Sequence, residues 1–293
     1  MPAAYPRCPR NTSVAPEADT FLGVPVRVGS WELVDRRYRF KQLASQGLTT
    51  VIADGRPTIR YRGVWSIPRR LRAQGWVHIG DPGSCGGYVF DAYEGRSGAG
   101  SKLYEVVTPF GDRCDYEHAL DRTLDPPELF NNSFAAVSPD GQWMVSGEWG
   151  ATKRLLVFPT PVLNPATRAN PGVLWLGGTI DLDRAVRNVQ GAVFLDERTL
   201  LCATDDHGTD AHASLWPVPR QLLAITLAEG LDTLPARGSV ECVGSLPTPR
   251  CGFGAPEVEG IDYQPTTGDL RVDIVPRFPW NLLLTAIYRF RSR

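Results

Sequence analysis

Five stretches of this chain repeat one pattern, and that repeat limits the fold more than any other feature. They are "QGLTTVIADGRPTIRY" from Gln46, "HIGDPGSCGGYVFDAY" from His78, "NSFAAVSPDGQWMVSGEW" from Asn132, "QGAVFLDERTLLCATDD" from Gln190 and "EGIDYQPTTGDLRVDIV" from Glu259. Each has a polar start, a short strand of small or apolar residues, a turn rich in Gly, Asp or Pro, and a second strand. Their starts are 32, 54, 58 and 69 residues apart. Further β-type runs lie between them: "KLYEVVT", "RLLVFPT", "QLLAITL" and "LLLTAIYRF". Gly (29) and Pro (25) are scattered and form no block, as a turn-rich all-β chain requires.

Repeats of about this length, each of about four antiparallel strands, are the signature of a β-propeller. The expectation is therefore an all-β, five-bladed β-propeller. Residues 1–25 read as a flexible lead-in, and 26–293 as one propeller domain. The last blade lacks an outer strand, and "WELVDRRYRF", residues 31–40, precedes the first inner strand. Pairing 31–40 with 282–290 closes the ring and removes an open sheet edge. The first blade is the short one, with room for about three strands at roughly 3.3 Å per residue.

"NNSFAAVSPDGQWMVSG" resembles the strand–turn–strand of many propellers, and the "EG-apolar" start at Glu259 resembles blade starts of lactonase-like and strictosidine-synthase-like propellers. In the metal-dependent lactonases, Glu, Asn and Asp at inner-strand starts hold a divalent cation such as calcium. The resemblance implies Glu259 and Asn132 as ligands, with His78 as a third candidate. That family has six blades; this chain shows five repeats.

Stacked repeats bring the five polar starts to one mouth of the central channel. The loops from second to third strands stand around it. Glu259 and His78 are the candidate catalytic pair, an acid and a base suited to lyase, isomerase or hydrolase chemistry. Gln46, Asn132 and Gln190 line the base. Glu148, Trp149, His207, Trp216, Arg277 and Trp280 line the rim as candidate substrate-binding groups. Aromatic walls with few polar groups are the usual form of small-molecule pockets. Asp81 and Asp262, three residues beyond their repeat starts, leave a glycosidase as a variant. The alternative is a non-catalytic propeller that binds a glycan or protein through its Trp-bearing face. Each polar group also has a plainer reading, as lining of a wet channel. "DDHGTDAH", residues 205–212, matches neither an EF-hand nor HExxH and reads as a polar loop.

The formal net charge is −1, which predicts no overall attraction to nucleic acid or to anionic membrane. No apolar window is long enough to span a bilayer, and the N-terminus has no signal-peptide pattern, so the expected location is the cytoplasm. The six cysteines lack zinc-ribbon spacing. Cys85 with Cys114 and Cys242 with Cys251 are the candidate pairs if the protein matures in an oxidising compartment.

Overall fold

A computed structural model describes residues 26–53, 55–207, 213–249 and 252–292. The lead-in, Cys8, Cys251 and the part of the polar loop from 208 to 212 lie outside those residues. The chain opens with β1 (Arg27–Val28) and β2 (Trp31–Phe40), then a single helical turn α1 (Lys41–Ala44). The first repeat is the hairpin β3 (Gly47–Ala53) and β4 (Arg56–Arg62), followed by a turn at 64–66 and α2 (Arg69–Ala73). The second repeat comprises β5 (Trp76–Ile79), β6 (Gly83–Cys85), β7 (Tyr88–Gly95), β8 (Ser101–Val107) and β9 (Arg113–Ala119). The third comprises β10 (Ala136–Val137), β11 (Trp143–Ser146), β12 (Ala151–Pro159), α3 (Pro165–Ala169) and β13 (Gly178–Arg187). The fourth is β14 (Val189–Phe194), β15 (Thr199–Thr204), β16 (Gln221–Leu227) and β17 (Ala236–Ser245). The last is β18 (Glu257–Gln264), β19 (Asp269–Val275) and β20 (Leu284–Ser292).

Four of the five repeats form antiparallel meanders, and the inner strands β3, β6, β10, β14 and β18 touch in order, with β18 returning to β3. That is the ring of an all-β propeller. The expected closure is present: β2 pairs antiparallel with β20, from Trp31 opposite Ser292 to Phe40 opposite Leu284. Two features were not expected. The first repeat keeps only two strands, because residues 63–75 are used by the turn at 64–66 and α2. The outer strands β13 and β17 pair in parallel through Ile180–Ala236 to Leu182–Gly238, which joins two meanders into one eight-stranded sheet.

The core lies between neighbouring meanders. On β15, Leu200 and Cys202 face the third repeat, while Leu201 and Ala203 face the last. Because alternate residues point to opposite faces and both are covered, such strands read as continuous apolar runs. Similar layers join the second repeat to the third through Phe90, Tyr104, Met144 and Phe158, and α2 to the second repeat through Leu71, Trp76 and Tyr93.

The turns are locally determined. In Ser138–Pro139–Asp140–Gly141, the Gly141 N–H donates to the Ser138 carbonyl, the Ser138 hydroxyl donates to Asp140 Oδ1, and Gly141 takes φ +74°. Only glycine adopts that backbone without strain.

Candidate functional site

The inner strands bring a carboxylate to the ring axis, and it comes from between β5 and β6. Asp81 Oδ1 accepts the Leu48 N–H of β3 at 3.0 Å, and Oδ2 accepts the Ile261 N–H of β18 at 3.0 Å. Three repeats carry glycine immediately after the polar start. A Cβ on Gly47, Gly191 or Gly260 would meet an Asp81 carboxylate oxygen at 2.2, 2.2 or 2.3 Å. The small residue in "QG", "QG" and "EG" therefore makes room for Asp81. Burial pushes the Asp81 carboxyl well above the ordinary range, despite its two N–H partners, and the charges of Asp262 and Asp273 add to the effect.

Asp81 separates two regions. On the strand-start side, Gln46 Nε2 donates to Glu259 Oε1 at 3.4 Å, so ring closure does bring the first and last starts together. Glu259 is buried and its pKa stands well above the ordinary carboxylate value. Desolvation is the main cause, followed by the charges of Glu257, Asp273 and Asp205. Asp205 accepts the Val258 N–H at 3.1 Å, beside Glu259, and its carboxyl is raised by burial to about 6. His207 Nδ1 lies 3.2 Å from Asp205 Oδ2 and 3.0 Å from the Asp205 carbonyl. The carbonyl is an acceptor, so Nδ1 carries a hydrogen. Arg220 Nε also reaches Asp205, at 3.2 Å.

His78 lies on β5 opposite Glu94, in a different repeat, and its buried Nδ1 has no hydrogen-bond partner among the described residues. Asn132 is fully used by the fold: its Nδ2 donates to the carbonyls of Tyr93 and Leu103 at 3.2 Å, and its Oδ1 accepts the Ser146 hydroxyl at 2.9 Å. Among the described residues no group of three or more His, Cys, Asp and Glu is arranged to hold a metal.

Glu148 is buried in a two-point ion pair with Arg154, at 2.9 and 3.2 Å, and also accepts the Leu129 N–H. Trp216 is half-buried against the core between the third and fourth repeats, with the Arg184 guanidinium 5.8 Å from its ring. Gln190 is buried at its strand start, Arg277 is half-buried, and Trp149 and Trp280 are exposed. Cys85 and Cys114 border the same apolar cluster, as expected; Cys114 and Cys242 are free thiols, so neither candidate pairing is made, and Cys85 is disulfide-bonded elsewhere.

The well-formed cavity opens on the opposite side of Asp81 from the expected mouth. It encloses about 490 Å³ and is lined by all five inner strands and by the first-to-second turns of the last four repeats. Ile52, Val137, Phe194 and Pro265 supply apolar wall; Thr50, Ser84, Asp262 and Gln264 supply polar groups. These polar groups are held rigidly. Asp262 accepts the Thr50 N–H at 2.8 Å and hydroxyl at 2.6 Å, and Arg271 Nη1 lies 3.1 Å from Oδ2. The Ser84 hydroxyl accepts from Thr49 and donates to the Thr50 carbonyl. Burial raises the Asp262 carboxyl, opposed by Arg271 and Thr50. The repeat could not reveal this side, because its register marks strand starts and the cavity is made by strand ends and turns.

No protein-family model and no curated protein sequence matches this chain. Among solved structures it is similar to the β-propeller domain of the Trilobed protease from Pyrococcus furiosus, described as having an open velcro topology. That likeness has 11% identity and a TM-score of 0.30 over 68% of this chain and 79% of the other. The propeller assignment here rests on the strand pairing and the ring of inner strands.

Proposed function

We propose that this protein binds a small, uncharged or weakly charged molecule in the cavity on the turn side of Asp81. The observation that carries the reading is the cavity itself: about 490 Å³, at the ring axis, lined by every inner strand. Its size falls within the range of small-molecule sites, and apolar walls with a few fixed polar groups match their usual construction. Thr50, Ser84 and Asp262 are held in place by the fold, so a ligand meets them without reordering. The test is ligand-observed NMR on the full chain with a panel of small neutral hydroxylated compounds. Val193 lines the cavity and is half-buried, packed against the core of the last repeat, so Val193→Trp narrows the cavity, and a native circular dichroism spectrum and melting temperature must accompany the result. Binding lost in Val193→Trp supports the reading. Equal binding in the variant rules out this cavity as the site.

Glu259 with Asp205 and His207 supports a second reading, acid/base catalysis at the strand-start mouth. Glu259, its carboxyl pushed up by burial, adjoins Val258, whose N–H donates to Asp205, and Asp205 in turn contacts the half-buried His207, so a carboxyl and an imidazole are linked through Asp205. Here His207 takes the role first expected of His78. Glu259→Gln should then lower turnover of any substrate by at least about 100-fold while the protein stays folded. Unchanged turnover removes this reading and leaves the cavity reading intact.

A further inference from the structure

Three single-turn elements meet at the strand-start end of the first and last repeats, and all carry exposed apolar side chains. They are α1 with Leu43, the turn at 64–66 with Val64 and Trp65, and the turn at 280–282 that leads through Leu282 and Leu283 into β20. They form one surface. The Phe40 and Trp65 rings lie 5.6 Å apart, edge to face, and the Lys41 N–H donates to the Leu283 carbonyl at 2.8 Å. Trp65 is 60% and Leu283 61% exposed. Burial of such groups is the default in a folded chain, so a contiguous exposed set marks a surface that meets something else.

The charge around this tip is not that of the whole chain. Residues 31–75 hold ten basic and three acidic residues, within a protein whose net charge is −1. Some of the cations are consumed internally: Arg62 by Asp91, Arg70 by Glu105 and Asp115, and Arg37 by Asp35. Arg39, Arg69 and Arg72 form no salt bridge with a carboxylate among the described residues, and Lys41 acts on one, the buried Glu259, only through its charge. Arg39 lies over the Tyr61 ring, with its guanidinium 5.5 Å from the centroid, and Arg72 donates to the Val64 carbonyl. Unneutralised cations thus flank apolar tips.

We propose that this tip is a docking surface for an anionic lipid bilayer, held at the interface and not inserted as a span. Among the described residues no helix is long and apolar enough to cross a membrane, so the contact is peripheral. Trp and Phe belong at the headgroup level, and Leu side chains bury in the acyl boundary. Each Lys or Arg near an anionic leaflet adds about 1 kcal/mol of attraction. A nucleic acid would answer the cations but offer no apolar medium to Leu43, Leu282 and Leu283.

The test is co-sedimentation of the full chain with vesicles of phosphatidylcholine alone and of phosphatidylcholine mixed with phosphatidylserine. Binding should need phosphatidylserine and weaken with salt. Arg39→Ser/Lys41→Ser should weaken it about ten-fold or more, from the loss of two cations. Trp65→Ser/Leu282→Ser should weaken it similarly, and both pairs are exposed or half-buried, so circular dichroism should remain native. Failure to bind mixed vesicles, equal binding to phosphatidylcholine alone, or binding unchanged in both variants overturns the proposal. So does a dimer in solution that Trp65→Ser/Leu282→Ser dissociates while mixed vesicles capture nothing, since a second copy would then cover the tip.

Discussion

The carboxylate of Asp81 occupies the space that a side chain on Gly191 would need: a Cβ there would meet Asp81 Oδ2 at 2.2 Å and the Ile261 nitrogen at 3.0 Å. Gly191→Ala should therefore destabilise the protein by about 1–3 kcal/mol, the usual cost of overpacking. Gly100, whose added Cβ meets nothing within 4 Å, is the control, and Gly100→Ala should stay within about 0.5 kcal/mol. Chemical denaturation of the two variants checks this. Equal stabilities would mean that the axis is not filled as described.

Asp81→Asn should cost about 1–3 kcal/mol for a different reason. Each carboxylate oxygen accepts one backbone N–H, from Leu48 and from Ile261. An amide keeps one acceptor and turns an NH₂ toward the other N–H, which leaves a buried donor without a partner. Hydrogen exchange at Leu48 and Ile261 should quicken at one of the two sites and not at both equally.

Stability should fall as pH rises above the acid range. Burial raises the Asp273 carboxyl from 3.8 to about 8, so between those values the folded state holds a proton that the unfolded state has lost. That contribution is complete below about pH 4 and is lost as pH climbs through 8. Asp205, raised to about 6, acts in the same direction over a narrower window. Glu128 opposes them. Burial disfavours its charge, but His118 and Lys102 outweigh that and hold it down at about 2, so its contribution is lost as pH falls from 4.5 through 2. The urea midpoint should be higher near pH 5 than near pH 8.5, and Asp273→Asn should flatten that decline. A midpoint that rises steadily to pH 8.5 would contradict the raised carboxyl.

The Lys102–Glu128 pair is fully buried at 2.7 Å, with His118 Nε2 2.8 Å from the other carboxylate oxygen. Lys102→Met should cost about 3–5 kcal/mol, because it leaves Glu128 buried without its principal cation. Adding Glu128→Gln to Lys102→Met should recover part of the loss, since the stranded charge is removed. A double variant less stable than Lys102→Met would show that Glu128 is held by the fold independently of Lys102.

Removing residues 1–40 should expose the free edge of β20, which now pairs with β2 along nine partners from Trp31–Ser292 to Phe40–Leu284. Unpaired edges recruit other edges, so the truncated chain should aggregate. A monodisperse truncation with unchanged thermal stability would mean that closure is dispensable.

Much of the architecture was legible because it is written in local patterns. The five repeats, the Ser-Pro-Asp-Gly turn and the apolar runs of β15 and β16 depend on period-two alternation and on turn chemistry within a few residues. The closure by 31–40 was legible too, since a meander short of one strand needs a partner and the chain offered one. The repeat also aligned Gln46 with Glu259 across ring closure, and those two side chains do meet. What it could not reveal was the residue for which the glycines make room. "QG", "QG" and "EG" show that a side chain is excluded there, but Asp81 comes from a different repeat, through a break between β5 and β6 that has no local signature. The side of the axis on which the cavity opens, the use of Glu148 and Asn132 by the fold, and the gathering of Leu43, Trp65 and Leu283 on one tip have the same origin. Each depends at least in part on groups from separate elements meeting in space, as Asn132 meets Tyr93 and Glu148 meets Leu129, and only the tertiary structure decides which of them meet.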